Sequence, residues 1–130
     1  MSKTVITFGT FDVFHVGHLR ILQRARSFGD RLGVGVSTDA LNENKKGRAP
    51  VYSQEERREI VAALSCVDET FLEESLELKG AYIQRYGAAI LVMGDDWEGR
   101  FDALSELCEV RYLPRTPAIS TTEVSEKIRV

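Results

Sequence analysis

Apolar residues along the chain follow two alternating patterns. Five short runs are apolar and rich in residues that favour strands. Between these runs, apolar residues recur at three-residue steps, which is typical of helices that bury one face. The alternation predicts βαβ units built on a mostly parallel sheet. The predicted strands are TVITF (4–8), RLGVGVS (31–37), VDETF (67–71), AAILVM (88–93) and EVRYL (109–113).

Five helices are predicted from this periodicity together with capping residues. Ser53 opens one of them, because its hydroxyl can cap the turn while Glu56 returns the bond in SQEE. The predicted helices run from His15 to before Gly29, from Ser53 onward, over 74–86 before Gly87, over FDALSEL (101–107) and from STTE (120–123). Strands joined by crossover helices predict one Rossmann-like α/β domain over residues 1–130, a five-stranded parallel sheet flanked by helices.

Composition narrows the class of protein. The chain has 130 residues, of which 43% are hydrophobic and 28% are charged, and its net charge is −3. These values are typical of a globular domain with a real core, and the acidity disfavours nucleic acid or an anionic membrane as partner. No apolar run approaches the length of a membrane span. Cys66 and Cys108 have neither metal nor disulfide spacing, so we expect a reduced, cytoplasmic protein.

The predicted fold also indicates where a ligand would bind. In open parallel sheets, ligands bind beyond the carboxyl ends of the strands, where the strand order reverses. Four segments that follow predicted strands hold much of the unusual polar chemistry, and together they predict a functional site. They are GTFDVFHVGH (9–18), STDALNENKKGR (37–48), GDDWEG (94–99) and PRTPAISTT (114–122).

The chain's two histidines, His15 and His18, lie three residues apart and therefore share one side of a helical first turn. Gly17 between them lets another group approach the backbone. The unpaired N–H groups and partial positive charge of a helix start suit a phosphate. Two polar residues satisfied at a helix start are the competing interpretation. Zinc is disfavoured, because Asp12 is the only acid nearby and no cysteine or third histidine accompanies the pair.

The second segment continues into NENKKGRAPVY (42–52), which we interpret as a loop. Its lysines, Lys45 and Lys46, would form a flap that closes over a polyphosphate. A solvated run of charge is the alternative.

Arg57 and Arg58 lie just inside the helix that follows this loop, where positive charge opposes the helix dipole. Cations in that position indicate an anion that compensates them. A surface ion pair with Glu55 or Glu56 is the alternative.

GDDWEG places Asp95, Asp96 and the sole tryptophan, Trp97, directly after the most apolar strand. One interpretation is a binding lip, in which an aspartate accepts hydrogen bonds and the indole shapes a pocket. The other is a polar turn whose tryptophan covers the edge of the core. In the last segment, helix capping explains Ser120, although beside a phosphate the same hydroxyl and N–H groups would form a second anion cradle.

Taken together, these segments resemble a known family. GTFDVFHVGH is similar to the signature of the HxGH nucleotidyltransferase superfamily. GDDWEGRFD followed by YLPRTPAISTT resembles its cytidylyltransferase branch, in particular the members that act on glycerol 3-phosphate, and the resemblance covers nearly the whole chain. It implies a homodimeric enzyme that converts CTP and glycerol 3-phosphate into CDP-glycerol and pyrophosphate with Mg2+. Members of this branch supply teichoic acid or capsule biosynthesis.

The resemblance also implies roles for individual residues. The catalytic residues would be His15 and His18, which contact the CTP phosphates, together with a flap lysine, Lys45 or Lys46. Nucleotide binding is implied for Gly9, Thr10, Phe11, Gly17, Gly94, Asp96, Arg115, Thr116, Ser120 and Thr121. Substrate binding is implied for Asp12, Asp39, Arg57 and Trp97. Asp12 is also expected beside Mg2+, which the CTP phosphates would mainly hold.

Three features differ from close members of the branch. RTPAISTT is one residue shorter than their RTPEGISTT, the lysine segment is one residue longer, and Ser65 replaces an arginine that serves an anionic substrate. Two alternatives therefore stay open. One is transfer of CMP or AMP to another alcohol phosphate, such as phosphoethanolamine or a different polyol phosphate. The other is a nucleotide-binding regulatory domain without catalysis, against which the retained histidines and lysines argue.

Overall fold

The computed structural model describes residues 3–114, except the side chains of Lys45 and Lys46. Its strands are β1 (Thr4–Gly9), β2 (Arg31–Ser37), β3 (Glu69–Glu73), β4 (Ile90–Gly94) and β5 (Glu109–Leu113). They form one parallel sheet in the order β3-β2-β1-β4-β5, which confirms the predicted fold class and all five predicted strands. β3 begins two residues later than VDETF, because it pairs with β2 only from Gly33 onward.

Helices cover both faces of this sheet. They are α1 (Val16–Arg26), α2 (Asp39–Lys46), α3 (Gln54–Ala62) and α4 (Lys79–Tyr86), with 3-10 turns at Leu76–Leu78, Asp95–Trp97 and Asp102–Glu106. The helices predicted at His15, Ser53 and 74–86 are confirmed as α1, α3 and α4, whereas FDALSEL forms a 3-10 turn. The helix predicted from STTE lies outside the described residues. Within residues 3–114, no helix is long and apolar enough to cross a membrane.

The prediction of a loop over NENKKGRAPVY is wrong in its first half, which α2 occupies. Thr38 caps this helix, since its hydroxyl accepts from the Leu41 N–H at 3.1 Å. Gly47 ends it at φ 75°, a left-handed conformation that glycine adopts without steric cost. Leu41 and Asn42 are buried, whereas Glu43 and Asn44 face solvent. Two buried anchors therefore stabilise this short helix, and an apolar period is not needed.

Alternate strand residues enter two apolar cores, one on each face of the sheet. In β1, Val5 packs in the core that α1 and α3 cover, whereas Ile6 and Phe8 pack in the core on the α4 side. β1 is the central strand, flanked by β2 and β4, so the strand order reverses at its carboxyl end. Because all five strands are parallel, the segments that follow β1, β2 and β4 meet at one edge of the sheet. This edge is where the fold positions a ligand.

Candidate active site

The first wall of the site is the segment from Gly9 to His18, called here the histidine loop. Two of its residues have positive φ, Phe11 at 54° and Val13 at 47°. Side chains are disfavoured in this region, β-branched ones most of all, so the loop holds backbone strain. The buried Phe11 ring helps to offset it, packing in the core and edge-on against the His18 imidazole with 5.5 Å between ring centroids. Strain of this kind is typical of functional sites.

Both imidazoles cap the start of α1. The Gly17 N–H donates to Nδ1 of His15 at 3.0 Å, and the His15 N–H donates to Nδ1 of His18 at 3.3 Å. A backbone N–H group only donates, so both Nδ1 atoms are unprotonated and each ring carries its proton on Nε2. The rings stack with their centroids 3.9 Å apart. The helix start therefore presents two neutral imidazoles, each with an N–H donor on the edge away from the cap.

Burial favours the neutral form of both rings. It lowers the pKa of His18 from 6.5 to about 4, with the neighbouring His15 adding to the shift and Asp12 opposing it. Burial also lowers the pKa of His15. An imidazole with so low a pKa is a poor proton acceptor but still a good N–H donor. The first turn of α1 contains no acidic residue, so the positive end of the helix dipole is not neutralised there. The dipole and the two N–H donors both favour an anion at the helix start.

Asp12 ties the histidine loop to the turn that follows α2. Its Oδ2 accepts from the Val51 N–H at 2.7 Å, and its Oδ1 accepts from the Tyr52 N–H at 2.9 Å. The predicted roles of Asp12 beside the substrate and Mg2+ stay predictions.

Arg57 is fully buried and joins several segments of the site. Its guanidinium donates to the carbonyl oxygens of Thr10 at 2.9 Å, Ser37 at 2.8 Å and Tyr52 at 3.0 Å. It also donates to Oδ1 of Asp39 at 2.7 Å, in an ion pair. The anion that compensates this cation is therefore a carboxylate of the protein.

These contacts give Arg57 and Asp39 a structural role. Arg57 is fully buried and joins β1 and β2 to the turn before α3, as a positioning residue. Asp39 accepts from Arg57 through Oδ1 and from the Gln54 N–H through Oδ2. The predicted roles of both residues in substrate binding stay predictions. Arg58 donates to Oγ1 and the carbonyl oxygen of Thr70, at 3.1 and 3.0 Å. In the described part of the chain, neither arginine pairs with a glutamate of α3.

A buried polar network fixes α2 to the same edge of the sheet. Asn42, 1% exposed, donates through Nδ2 to Oγ of Ser37 at 2.8 Å and to the Thr38 carbonyl oxygen at 2.9 Å. Its Oδ1 accepts from the Thr10 hydroxyl at 2.9 Å. The single hydroxyl hydrogen of Thr10 is thus used within the protein, and the predicted part of Thr10 in nucleotide binding stays a prediction. Sequence reasoning missed Asn42, although an asparagine four residues after a threonine cap was an available signal.

The opposite wall of the site is the segment from Gly94 to Asp102, called here the tryptophan lip. Trp97 is half-buried, and its ring packs on Phe101 with 5.4 Å between centroids. A Cβ atom at Gly94 would lie 2.6 Å from Oδ1 of Asp96, so a side chain there would displace the exposed Asp96 carboxylate. Trp97 covers the edge of the core, as one of the two interpretations of this segment expected, and Asp96 is exposed. The interpretation of the segment as a binding lip stays a prediction. β1 and β4 pair as neighbours, so both walls rise from adjacent strand ends.

The structure thus brings most of the described candidate residues to one edge of the sheet. They are Gly9, Thr10, Phe11, Asp12, His15, Gly17, His18, Asp39, Arg57, Gly94, Asp96 and Trp97. The predictions for Arg115, Thr116, Ser120 and Thr121 lie outside the described residues, as do those for the side chains of Lys45 and Lys46. Among residues 3–114, no group of three or more histidine, cysteine or carboxylate side chains could hold a metal ion.

Comparison with known proteins adds independent observations. Residues 6–127 match the model of the family described as cytidylyltransferase-like. The chain is 48% identical to the glycerol-3-phosphate cytidylyltransferase of Bacillus subtilis over 126 residues, 97% of each chain. It is 40% identical to the enzyme of the same name from Staphylococcus aureus over 126 residues, 97% of this chain and 95% of that one.

The fold has a counterpart among solved structures. A lipopolysaccharide core biosynthesis protein from Thermoplasma volcanium matches with a TM-score of 0.75, covering 89% of this chain and 98% of that chain. At 22% sequence identity the likeness concerns the fold alone.

Proposed function

The chain belongs to the cytidylyltransferase-like family, and we propose that it transfers CMP from CTP to glycerol 3-phosphate, giving CDP-glycerol and pyrophosphate. The observation that carries the proposal is the pair of neutral imidazoles at the start of α1, His15 and His18. Their Nε2–H groups are donors for the phosphates of a nucleotide. The high identity to two glycerol-3-phosphate cytidylyltransferases over nearly the full chain supports the choice of substrates.

The chemistry explains why the site contains donors and needs no general base. The second pKa of a phosphate monoester is about 6, so glycerol 3-phosphate is already mostly a dianion at neutral pH. One of its phosphate oxygens attacks the α-phosphorus of CTP in line and forms a new P–O bond. The bond from that phosphorus to the α,β-bridging oxygen breaks, and pyrophosphate leaves with the electron pair. No covalent intermediate with the enzyme is needed.

What the protein must supply is relief of repulsion between anions and stabilisation of charge around the α-phosphorus. We assign this role to His15 and His18, aided by the positive end of the α1 dipole. A flap lysine, Lys45 or Lys46, would add charge, and both belong to the last turn of α2. Arg57 acts through the protein, since its guanidinium holds the backbone on which these groups are mounted.

Recognition of the two substrates is divided over the remaining segments. We assign cytidine recognition to Gly94 and Asp96 of the tryptophan lip, together with Arg115 and Thr116. Ser120 and Thr121 would assist at the phosphates. Asp12 and Trp97 are proposed to border the substrate.

Mg2+ is also part of the proposal. This ion prefers six oxygen ligands, keeps several waters and binds through one or two carboxylates plus the phosphates of a substrate. The described residues fit that pattern, because Asp12 is the one carboxylate in the histidine loop, close in the chain to the two imidazoles. When bound, Mg2+ would neutralise phosphate charge and be held mainly by CTP.

The resemblance to the family extends the proposal to a homodimer in the cytoplasm that supplies teichoic acid or capsule biosynthesis. CTP and phosphorylated alcohols are intracellular metabolites, which supports the location. Sedimentation equilibrium of the purified chain tests the dimer, and a mass of one chain would contradict it.

Pyrophosphate release in the presence of Mg2+ tests the reaction itself. CTP, ATP, GTP and UTP are each combined with glycerol 3-phosphate, phosphoethanolamine and a panel of polyol phosphates. We expect release with CTP and glycerol 3-phosphate, and CDP-glycerol as the second product.

Other outcomes would each change the proposal in a defined way. Release with CTP and a different acceptor would keep the mechanism and replace the substrate, as Ser65 in place of arginine allows. No release with any acceptor, while CTP still binds by calorimetry, would contradict catalysis and favour a regulatory nucleotide-binding domain.

A further inference from the structure

Three polar side chains at the site edge of the sheet form a closed ring of hydrogen bonds. Nδ2 of Asn42 donates to Oγ of Ser37 at 2.8 Å, the Ser37 hydroxyl donates to Oγ1 of Thr10 at 3.1 Å, and the Thr10 hydroxyl donates to Oδ1 of Asn42 at 2.9 Å. Each group therefore donates one bond and accepts one within the ring. Ser37 and Asn42 are each 1% exposed, and hydrogen bonds in a buried chain of this kind strengthen one another.

The ring joins three different segments of the chain. Thr10 follows β1, Ser37 is the last residue of β2, and Asn42 lies in α2. The two strand ends are also held by Arg57, whose Nη1 donates to the carbonyl oxygens of both Thr10 and Ser37. The bond between Asn42 and Thr10 adds α2 to this arrangement, because it connects that helix directly to the histidine loop.

The ring needs an amide at position 42. A carboxamide supplies a donor and an acceptor at the end of one short side chain, whereas an ionised carboxylate only accepts and an apolar side chain does neither. Nδ2 of Asn42 donates in addition to the Thr38 carbonyl oxygen, at the start of α2. A buried polar network whose members are all satisfied fixes one arrangement of the elements that it joins. The amide therefore sets the place of α2 against the histidine loop.

We infer that Asn42 is a positioning residue for the transfer reaction: it holds the helix that contains the flap lysines at a fixed place relative to the helix start that carries the two histidines. Lys45 and Lys46 belong to the last turn of α2. The inference rests on the proposed function, which assigns phosphate binding to these lysines and histidines. Charge around the α-phosphorus is then stabilised from two segments, and their relative position has to be set before the substrates bind.

The test compares two asparagines of the same helix. Asn42→Ala removes the donor and the acceptor of the ring together. Asn44→Ala is the matched control, since it makes the same substitution in α2 at an exposed position and changes intrinsic helix propensity equally. Urea denaturation establishes that each variant is folded under the conditions of the assays.

The first measurement needs no ligand and follows hydrogen exchange of backbone amides by NMR. The buried Leu41 N–H lies at the start of α2, and the Gly17 N–H caps α1 in the histidine loop. In Asn42→Ala we expect both to exchange about tenfold faster, because a buried hydrogen-bonded connection is lost, while the Ala88 N–H beyond α4 is unchanged. The Asn44→Ala control should match the unmodified protein. Unchanged exchange at Gly17 would overturn the inference, since α2 would then open independently of the loop.

The second measurement is steady-state pyrophosphate release from CTP and glycerol 3-phosphate. We expect kcat of Asn42→Ala to fall by about tenfold to a hundredfold, as is usual for misplaced catalytic groups, with KM for CTP changed by less than about twofold. Asn44→Ala should keep the kcat of the unmodified protein. A folded Asn42→Ala protein with unchanged kcat would overturn the inference.

Combination with the flap lysines separates positioning from general stability. In a Lys45→Ala/Lys46→Ala protein, α2 no longer carries the ammonium groups that Asn42 is inferred to align. Adding Asn42→Ala to that protein should therefore lower kcat by less than about twofold further. If the loss caused by Asn42→Ala were as large there as in the unmodified protein, the residue would act on the fold alone and the inference would be contradicted.

Two further points keep the result interpretable. If Asn42→Ala does not unfold cooperatively, Ser37→Ala replaces it: this change opens the ring between Asn42 and Thr10 and should also speed exchange at Gly17 and lower kcat, and unchanged values would contradict the inference. If the unmodified protein releases no pyrophosphate with CTP, the proposed function fails, whereas the ligand-free exchange still decides whether Asn42 couples α2 to the histidine loop.

Discussion

The two walls of the site are held in place by different interactions. Hydrogen bonds that end on backbone atoms fix the histidine loop: Arg57 holds the Thr10 carbonyl, and Asp12 accepts from the turn after α2. The tryptophan lip is fixed mainly by rings, with the Lys79 ammonium under Phe101. One wall is bound by directional contacts and the other by packing.

The kind of interaction that holds each wall suits the role proposed for that wall. Buried hydrogen-bonding groups cost free energy when they lose a partner, so the histidine loop resists displacement. That rigidity suits donors that must already be aimed at developing charge. Ring packing tolerates small shifts at little cost, which suits a wall that admits and releases a nucleotide. The following predictions test whether the two walls are held in place by different interactions.

The largest effect is expected on turnover, in the histidine loop. His18→Ala and His15→Asn should each lower kcat by roughly a hundred- to a thousand-fold, the usual result of losing a preorganised donor to a developing oxyanion. His15→Asn is the sharper variant, because asparagine caps a helix well and stability should be retained. Steady-state pyrophosphate release measures kcat, and thermal unfolding measures the stability of each variant. Near-normal turnover in either variant would remove the imidazoles from the mechanism.

The next effect is on stability. Arg57→Met leaves three backbone carbonyl groups and Asp39 without their donor, so the free energy of unfolding should fall by about 3–5 kcal/mol. Arg58→Met is the matched control on the same helix. Its exposed bonds to Thr70 predict a loss within about 1 kcal/mol. Urea denaturation compares the two, and equal losses would mean that the histidine loop does not depend on the buried guanidinium.

Acid should destabilise the histidine loop in a defined pH window. The pKa of His18 is about 4 in the folded protein and 6.5 as its ordinary value, so the unfolded chain takes up this proton first as the pH falls. The contribution to stability is complete above pH 6.5, falls by up to roughly 3 kcal/mol between pH 6.5 and 4, and does not change further below.

Unfolding free energies across this range, compared with those of His18→Asn, isolate the titration from that of the carboxylates. The variant should show a shallower pH dependence between pH 6.5 and 4. Identical curves would show that the imidazole is not held neutral by the loop.

The smallest effect is expected in the lip. Tyr112→Phe removes the hydroxyl that accepts from the Phe101 N–H and donates to Oδ1 of Asp102, and should cost about 1 kcal/mol. Tyr82→Phe is the control, since its hydroxyl accepts only a long bond of 3.3 Å from the Glu74 N–H. Urea denaturation gives both values. If Tyr112→Phe lowered the free energy of unfolding as much as Arg57→Met does, the two walls would not differ in the way proposed here.

Much of the fold could be predicted because the three central strands, β1, β2 and β4, are mostly buried on both faces and have largely apolar sequences, AAILVM being the clearest. α2 could not, because Leu41 and Asn42, the two buried residues among its described side chains, are adjacent and give no helical period. The histidine pair was identifiable from its spacing at a helix start. Its tautomers depend on backbone contacts that only the folded chain shows.

Arg57 illustrates the limit of local reasoning. Its position at a helix start indicated a cation that needs an anion, which is correct. The partner, Asp39, lies 18 residues away along the chain. The three carbonyl groups that Arg57 also binds come from two different strand ends and from the turn before α3. Proximity within α3 suggested a glutamate instead. The carboxylate that pairs with Arg57 is therefore determined by which residues the folded sheet brings together, and not by which residues are near it in sequence.

The start of α1 has a consequence for protein engineering. α2 and α3 carry carboxylates in their first turns, whereas α1 has none and exposes Val16 there, 42% accessible. An acidic residue in place of Val16 would be an obvious stabilising change, by a few tenths of a kcal/mol to about 1 kcal/mol. It would also put a negative charge where the phosphates are expected to bind. A search for thermostability would therefore favour a substitution that impairs catalysis, so this helix has to remain less stable than it could be.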